Sequence, residues 1–296
     1  CTKRLLPIFL ISVMAPASML WGQNTYVPDD NFEQALIDLG YDDVLNDFVL
    51  TENISSVTSL VVNDKDISDL TGIEDFTALI DLSCSYNQLT SLDVSSNTSL
   101  SSISVSGNQL TSLDVSNNTA LTYLISHNNQ LTNLDVSANT ALTSLGCGSN
   151  QLTSLDVSNN TSLSSISVSD NQLTSLDVSN NTALNNISVS GNQLTSLDMS
   201  ANTTLSYLSC YSNQLTSLNV STNTALSTLM CYNNQLTSLD VSANTALTDL
   251  SCGSNQLTSL DVSSNTALTE LQCYYNSLTS LDVSNNTALE SLRCYI

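Results

Sequence analysis

Seven of the eight cysteines, Cys84, Cys147, Cys210, Cys231, Cys252, Cys273 and Cys294, are separated by multiples of 21 residues. Thiols at that spacing have three chemistries open to them: disulfides, a metal site, or burial as small hydrophobes. In the intervening frames the same position holds Val105, Ser126, Val168 or Val189, so the slot is small and buried. If each frame is one rung, neighbouring Cα atoms lie about 4.8 Å apart with parallel Cβ vectors. That distance suits a disulfide but the direction does not, and a single file cannot surround zinc. Reduced, stacked thiols are expected, with no metal centre and no cofactor.

A second file is acidic: Asp93, Asp114, Asp135, Asp156, Asp177, Asp198, Asp240, Asp261 and Asp282, with Asn219 filling the gap. Like charges this close repel and raise their own pKa values unless cations or hydroxyl donors intervene. Flanking Ser and Thr can supply those donors. The row is read as a solvated stripe that keeps strands from sticking edge to edge, with weak divalent-cation binding as the alternative. A third set is aromatic: Tyr86, Tyr123, Tyr207, Tyr211, Tyr232, Tyr274, Tyr275 and Tyr295. Tyr211, Tyr232, Tyr274 and Tyr295 share one phase, with Gly253 leaving a notch in their row. Such a file is either a stacked ladder or a recognition patch, because tyrosine supplies a large contact area at low entropy cost. Tyr207, Tyr211, Tyr232, Tyr274, Tyr275 and Tyr295 are the candidate ligand-binding residues.

Catalysis has little to work with. The chain holds one histidine, His127, and past its first residues one lysine, Lys65, and one arginine, Arg293. No set of nucleophile, base and oxyanion donor can be assembled, so no enzymatic activity is expected, and His127 is read as an ordinary surface residue. The 296 residues carry 27 Asp and Glu against 4 Lys and Arg, a formal net charge of −23. Nucleic acid and anionic membrane surfaces are excluded as partners, since both require basic clusters.

The elements behind these files follow from one repeat. The tract Asn-Gln-Leu-Thr-Ser-Leu-Asp-Val-Ser recurs from Asn87 to Asn276 without a slip in spacing. Each unit divides into halves with the pattern Leu-x-x-Leu-x-apolar-x-x-Asn, for example Leu121, Leu124, Ser126, Asn129, then Leu131, Leu134, Val136, Asn139. The alternation in each half calls for a short strand with one buried face. A lone coil cannot offset its chain entropy, whereas stacked coils share a continuous core. The expectation is an all-β solenoid with two short parallel strands per 21-residue coil, nearly straight because both walls rise equally. Asparagines at the bends should satisfy turn backbone and each other.

Residues 1–22 order as a signal peptide: Lys3-Arg4, an apolar run from Leu5 to Met14, then small residues around Ala15 to Ala17 and at Gly22. Pro7 and Pro16 interrupt it as a membrane span, so cleavage, export and no membrane insertion of the mature chain are expected. Residues 23–56 form a helical cap, with Asp29 or Asp30 as N-cap, Phe32, Leu36 and Leu39 on one face and Gly40 as stop. Asp42, Asp43, Asn46 and Asp47 lack the spacing and glycine of a calcium loop and are read as a capping loop. Residues 57–78 are a first repeat of 22 residues, and 79–296 are the 21-residue array. The stretch stops partway through a repeat and is taken as a fragment.

The unit Leu-x-x-Leu-x-Cys-x-x-Asn-Gln-Leu-Thr-Ser-Leu-Asp-Val-Ser-x-Asn-Thr-Ala resembles the bacterial 21-residue leucine-rich repeat class called IRREKO. The first repeat, marked by Val57, Leu60, Val62, Ile67, Leu70, Ile73 and Phe76, is similar to internalin-type repeats. With Tyr26-Val-Pro-Asp-Asp-Asn-Phe-Glu-Gln-Ala-Leu, the whole resembles secreted leucine-rich repeat proteins of flavobacteria, many of which end in a type IX sorting domain. The resemblance implies a secreted or cell-surface protein. Together with the tyrosines it implies an interaction scaffold for a protein or carbohydrate ligand. The alternatives are a structural spacer or adhesin stalk, and ice or ordered-surface binding, which the charged Asp row opposes.

Overall fold

The computed structural model describes residues 23–295; the proposed leader lies outside them. Two small strands, β1 (Asn24–Tyr26) and β2 (Phe48–Leu50), pair antiparallel and bracket helix α1 (Asp30–Asp38). Asp29 caps α1, its Oδ1 accepting from the N–H groups of Asn31 and Phe32 at 3.0 and 2.9 Å. Phe32 and Leu36 turn inward against Phe76, and Leu39, expected on that face, is exposed because the helix ends before it. Glu33, fully buried, holds the following loop: its carboxylate accepts from the N–H groups of Asn46, Asp47 and Phe48 at 2.9, 3.1 and 3.0 Å. That loop is the acidic stretch compared above with a calcium site. A single turn of helix, α2 (Thr51–Ile54), leads into the array.

Twelve strands follow, each of three residues: β3 (Ser59–Val61), β4 (Asp81–Ser83), β5 (Ser102–Ser104), β6 (Tyr123–Ile125), β7 (Ser144–Gly146), β8 (Ser165–Ser167), β9 (Asn186–Ser188), β10 (Tyr207–Ser209), β11 (Thr228–Met230), β12 (Asp249–Ser251), β13 (Glu270–Gln272) and β14 (Ser291–Arg293). They form one parallel sheet in sequence order. From β3 to β13 the middle residue of each strand is buried, as period two requires, while in β14 Leu292 is exposed. Behind the middle residues run further files of Leu and Val from the rest of each coil, with Phe32 and Phe76 closing the core at the cap.

The second arc of each coil differs from expectation. Among the described residues it carries no strand, only one isolated bridge between Asp93 and Asp114. Local hydrogen bonds consume the donors a second sheet would need. In the coil after Leu131, Ser137 N–H donates to Asp135 Oδ1 at 2.9 Å, Asn139 N–H to Val136 O at 3.0 Å and Leu142 N–H to Asn139 O at 3.1 Å. Short polar side chains offer the backbone this alternative to a ladder. Neighbouring coils are joined there by asparagine instead: Asn139 Nδ2 donates to Val115 O at 3.0 Å and Asn118 O at 2.9 Å of the coil before. Equal rise of two hydrogen-bonded walls, the ground for a straight axis, is therefore missing.

A second asparagine file lies at the end of the sheet. Asn129 Nδ2 donates to Val105 O in the preceding coil and to Ser126 O in its own, while its Oδ1 accepts from Leu110 N–H at 3.0 Å. Both files bond to turn backbone, as anticipated, but not amide to amide, because each amide is matched to turn carbonyls that no strand partner reaches.

Candidate recognition surface

Among the described residues no layer covers the outward face of the twelve-stranded sheet. Its exposed side chains come from the first and third positions of each strand and from the bend that follows. The six candidate tyrosines fall here in two clusters. In the first, Tyr211 and Tyr232 stack with ring centroids 4.4 Å apart and planes 7° from parallel. Tyr207, at the first position of β10, directs its hydroxyl to Met230 Sδ at 3.8 Å. Met230 belongs to no aromatic file; it stands in register with Ser209 at the third position of β10, which brings its sulfur within reach of the hydroxyl. Burial, with Tyr211 alongside, pushes the Tyr232 phenol up to about 12.

In the second cluster Tyr274 and Tyr295 stack at 5.3 Å and 11°, and Tyr275 stands edge-on to both, at 86° and 89°. The notch expected at Gly253 is filled. A Cβ on Gly253 would lie 2.8 Å from Tyr274 Cζ, so that ring leans back over the glycine. Tyr86 and Tyr123 stay apart from both clusters, on the first coils of the array; Tyr86 lies against Gly107.

His127 is not the free surface residue expected. It shares the phase of Tyr211, and its half-buried ring spans Gly146 and Gly148 of the next coil, with Nδ1 accepting from Gly148 N–H at 2.8 Å. Burial pushes its pKa down. The acceptor role of Nδ1 places any proton on Nε2 and makes the ring a neutral spacer.

The Asp row lies exposed on the second arc. Its carboxyls sit below the usual carboxylate range, because each is hydrogen-bonded by the Ser two residues on, which outweighs the like-charge repulsion; Asp135 is held down by the hydroxyl and N–H of Ser137. Asp114 feels the raising influence of Asp93 and Asp135, but Ser116 outweighs it. The donors anticipated from the flanking residues thus decide the sign. Among the described residues the trio of carboxylates close enough to share an ion is Asp30, Glu33 and Asp47 in the cap, not the Asp row. There the oxygens of Glu33 are already taken by backbone.

The thiols of Cys84, Cys147, Cys210, Cys231, Cys252 and Cys273 are buried, that of Cys294 is exposed, and all seven are unpaired. Burial pushes Cys84, Cys147 and Cys210 up to about 12. The six buried thiols, held neutral by burial, are packing groups, not nucleophiles.

No protein-family model matches the chain. A 75-residue stretch, 25% of it, is 41% identical to Internalin J of Listeria monocytogenes, and spans 8% of that protein. Among solved structures, the functional domain of InlJ from L. monocytogenes, described as including a cysteine ladder, aligns with a TM-score of 0.76 and 36% identity, over 91% of this chain and 67% of that one. The internalin inlF of the same species aligns with a TM-score of 0.87 and 27% identity, over 91% and 82%. A leucine-rich repeat protein of Leptospira interrogans, at 0.77 and 24% over 83% and 68%, shares the fold.

Proposed function

We propose, for a chain that belongs to the internalin-like leucine-rich repeat proteins, that it is a non-catalytic interaction scaffold displayed outside the cell, secreted or on its surface. The proteins it resembles carry a fold commonly used to bind other proteins. The observation that carries the reading is the pairing of Tyr211 with Tyr232 and of Tyr274 with Tyr295 on the uncovered face of the sheet. Aromatic rings fixed by stacking lose little entropy when a partner arrives. Protein or carbohydrate would engage Tyr207, Tyr211, Tyr232, Tyr274, Tyr275 and Tyr295. No described helix is long and apolar enough to cross a membrane.

The test is capture on an array of purified extracellular proteins and glycans. Tyr211→Ser/Tyr232→Ser/Tyr274→Ser should lose every hit of the wild-type chain while circular dichroism stays the same; hits retained in full would refute the tyrosine face. A spacer or stalk is the second reading, favoured by the near-identical Thr-Ser-Leu-Asp-Val-Ser of successive second arcs. An array without any hit would support it.

A further inference from the structure

From β5 to β11 the first strand position is uncharged: Ser102, Tyr123, Ser144, Ser165, Asn186, Tyr207 and Thr228. At β12 and β13 it becomes Asp249 and Glu270, which sit opposite one another in register, and Glu290 immediately precedes β14. Like charges on facing positions destabilise a sheet. The second arc gives each of its aspartates a backbone N–H, whereas Asp249 accepts from the Thr248 hydroxyl at 3.1 Å and Glu270 from the side-chain amide of Gln272. No cation is paired with either among the described residues, where the ion pair is Lys65 with Asp38. Arg293, exposed at the third position of β14, is the one cation on this end of the face. The second tyrosine cluster belongs to the same coils, with Tyr274 following Glu270 and its ring lying over Gly253, which follows Asp249.

Carboxylates that share a face with the exposed rings of Tyr275 and Tyr295 suit a segment bearing guanidinium or ammonium groups, which gains charge-assisted hydrogen bonds from the first and cation–π contact from the second. A neutral sugar would use the rings and leave the repelling pair unrelieved. An anionic partner would be turned away by a chain of net charge −23. Resting on the scaffold reading above and specifying its partner, we propose that the sheet face over β11–β14 docks a Lys/Arg-rich segment of another protein. The facing carboxylates are the element that selects it.

The probe is a short fluorescent Arg-Gly repeat peptide, with a Gly-Ser repeat peptide and soluble chitin fragments as neutral controls, titrated against the full chain by anisotropy. The Arg-Gly peptide should bind, more weakly as salt rises, and the controls should not. Asp249→Asn/Glu270→Gln should weaken it about tenfold or more, while Asp156→Asn/Asp177→Asn, which removes the same charge from the second arc, should change it less than about twofold. Equal losses in the two double variants would mean attraction by bulk charge and overturn the proposal. Array hits that need the tyrosines but survive Asp249→Asn/Glu270→Gln would overturn it too, and leave the scaffold reading standing. Hits indifferent to both sets would remove both.

Discussion

Tyr232 lies flat against Tyr211, one coil earlier, with ring centroids 4.4 Å apart. The stack orders both rings and shields the Tyr232 phenol. Tyr232→Ser should cost about 1 kcal/mol in urea unfolding, and Tyr232→Phe, which keeps the ring, much less. The phenol is pushed up to about 12 from 10.0 by burial and then by Tyr211. A raised acid favours the folded state, so its contribution is complete below pH 10 and is lost as pH rises toward 12. Spectrophotometric titration should show one late phenol that vanishes in Tyr232→Phe; a titration unchanged by that substitution would place the shielded ring elsewhere.

The two asparagine files should differ in cost. Asn171 donates to Cys147 O and Val168 O at 3.0 and 3.1 Å and accepts from Leu152 N–H at 2.9 Å, so every polar atom of its amide is used. Asn181 donates to Val157 O and Asn160 O, both at 2.9 Å, while its buried Oδ1 has no partner among protein atoms. An unpaired buried acceptor carries a penalty of about 1–3 kcal/mol that alanine would remove. Asn171→Ala should therefore destabilise more than Asn181→Ala, by about 1 kcal/mol or more in chemical denaturation. Equal costs would show that water or relaxation satisfies Oδ1 in solution.

What repetition encodes was legible, and what local chemistry decides was not. Leu124 and Leu145 face inward in any solenoid of this period, so the core followed from spacing alone, as did the tyrosine phase. The second strand failed at Asp135 and Asn139: a period-two pattern cannot register that their side chains claim the turn donors and acceptors first. Gly253 and His127 failed for another reason. Which way Tyr274 leans, or whether an imidazole reaches Gly148 N–H, depends on rotamers that column position does not specify. The pairing of β1 with β2 joins three-residue strands across α1, too short for alternation to mark. Asp249 and Glu270 were visible as letters, but their facing register appears only once the rungs are stacked.

The thiols give a prediction with a pH sign. Their ordinary value is 9.0, and burial holds Cys84, Cys147 and Cys210 near 12 and Cys273 near 11. The folded chain keeps protons that the unfolded chain releases above pH 9. Stability from this source is complete below pH 9 and falls as pH climbs from 9 to 12. Maleimide at pH 8 should label Cys294 within the array and leave the other six until denaturant is added. Cys231→Val, which imports the residue of neighbouring frames, should change stability by less than about 1.5 kcal/mol. Rapid native labelling of Cys231 would contradict its burial.

A last prediction concerns the backbone where each coil leaves the sheet. Tyr86, Gly107, Asn128, Ser149, Asp170, Gly191, Ser212, Asn233, Ser254 and Tyr275 occupy one column, and all have φ between 49° and 66°. The left-handed residue turns the chain so that the next residue, always Asn, can drive its amide inward. Side-chain-bearing residues lose about 1–2 kcal/mol in that conformation, yet glycine holds only two of these positions. Ser149→Gly and Ser254→Gly should therefore stabilise, though by less than about 1 kcal/mol each, because glycine loses about 0.5–1 kcal/mol more chain entropy on folding. Gly107→Ala should go the other way. At φ 66° its Cβ would also lie 2.6 Å from Tyr86 Cδ1, so backbone strain and a ring collision add. In Gly107→Ala/Tyr86→Ser the collision is gone and the strain remains. Its urea midpoint should fall between those of Gly107→Ala and Tyr86→Ser; a double variant no more stable than Gly107→Ala would show that the backbone alone sets the penalty.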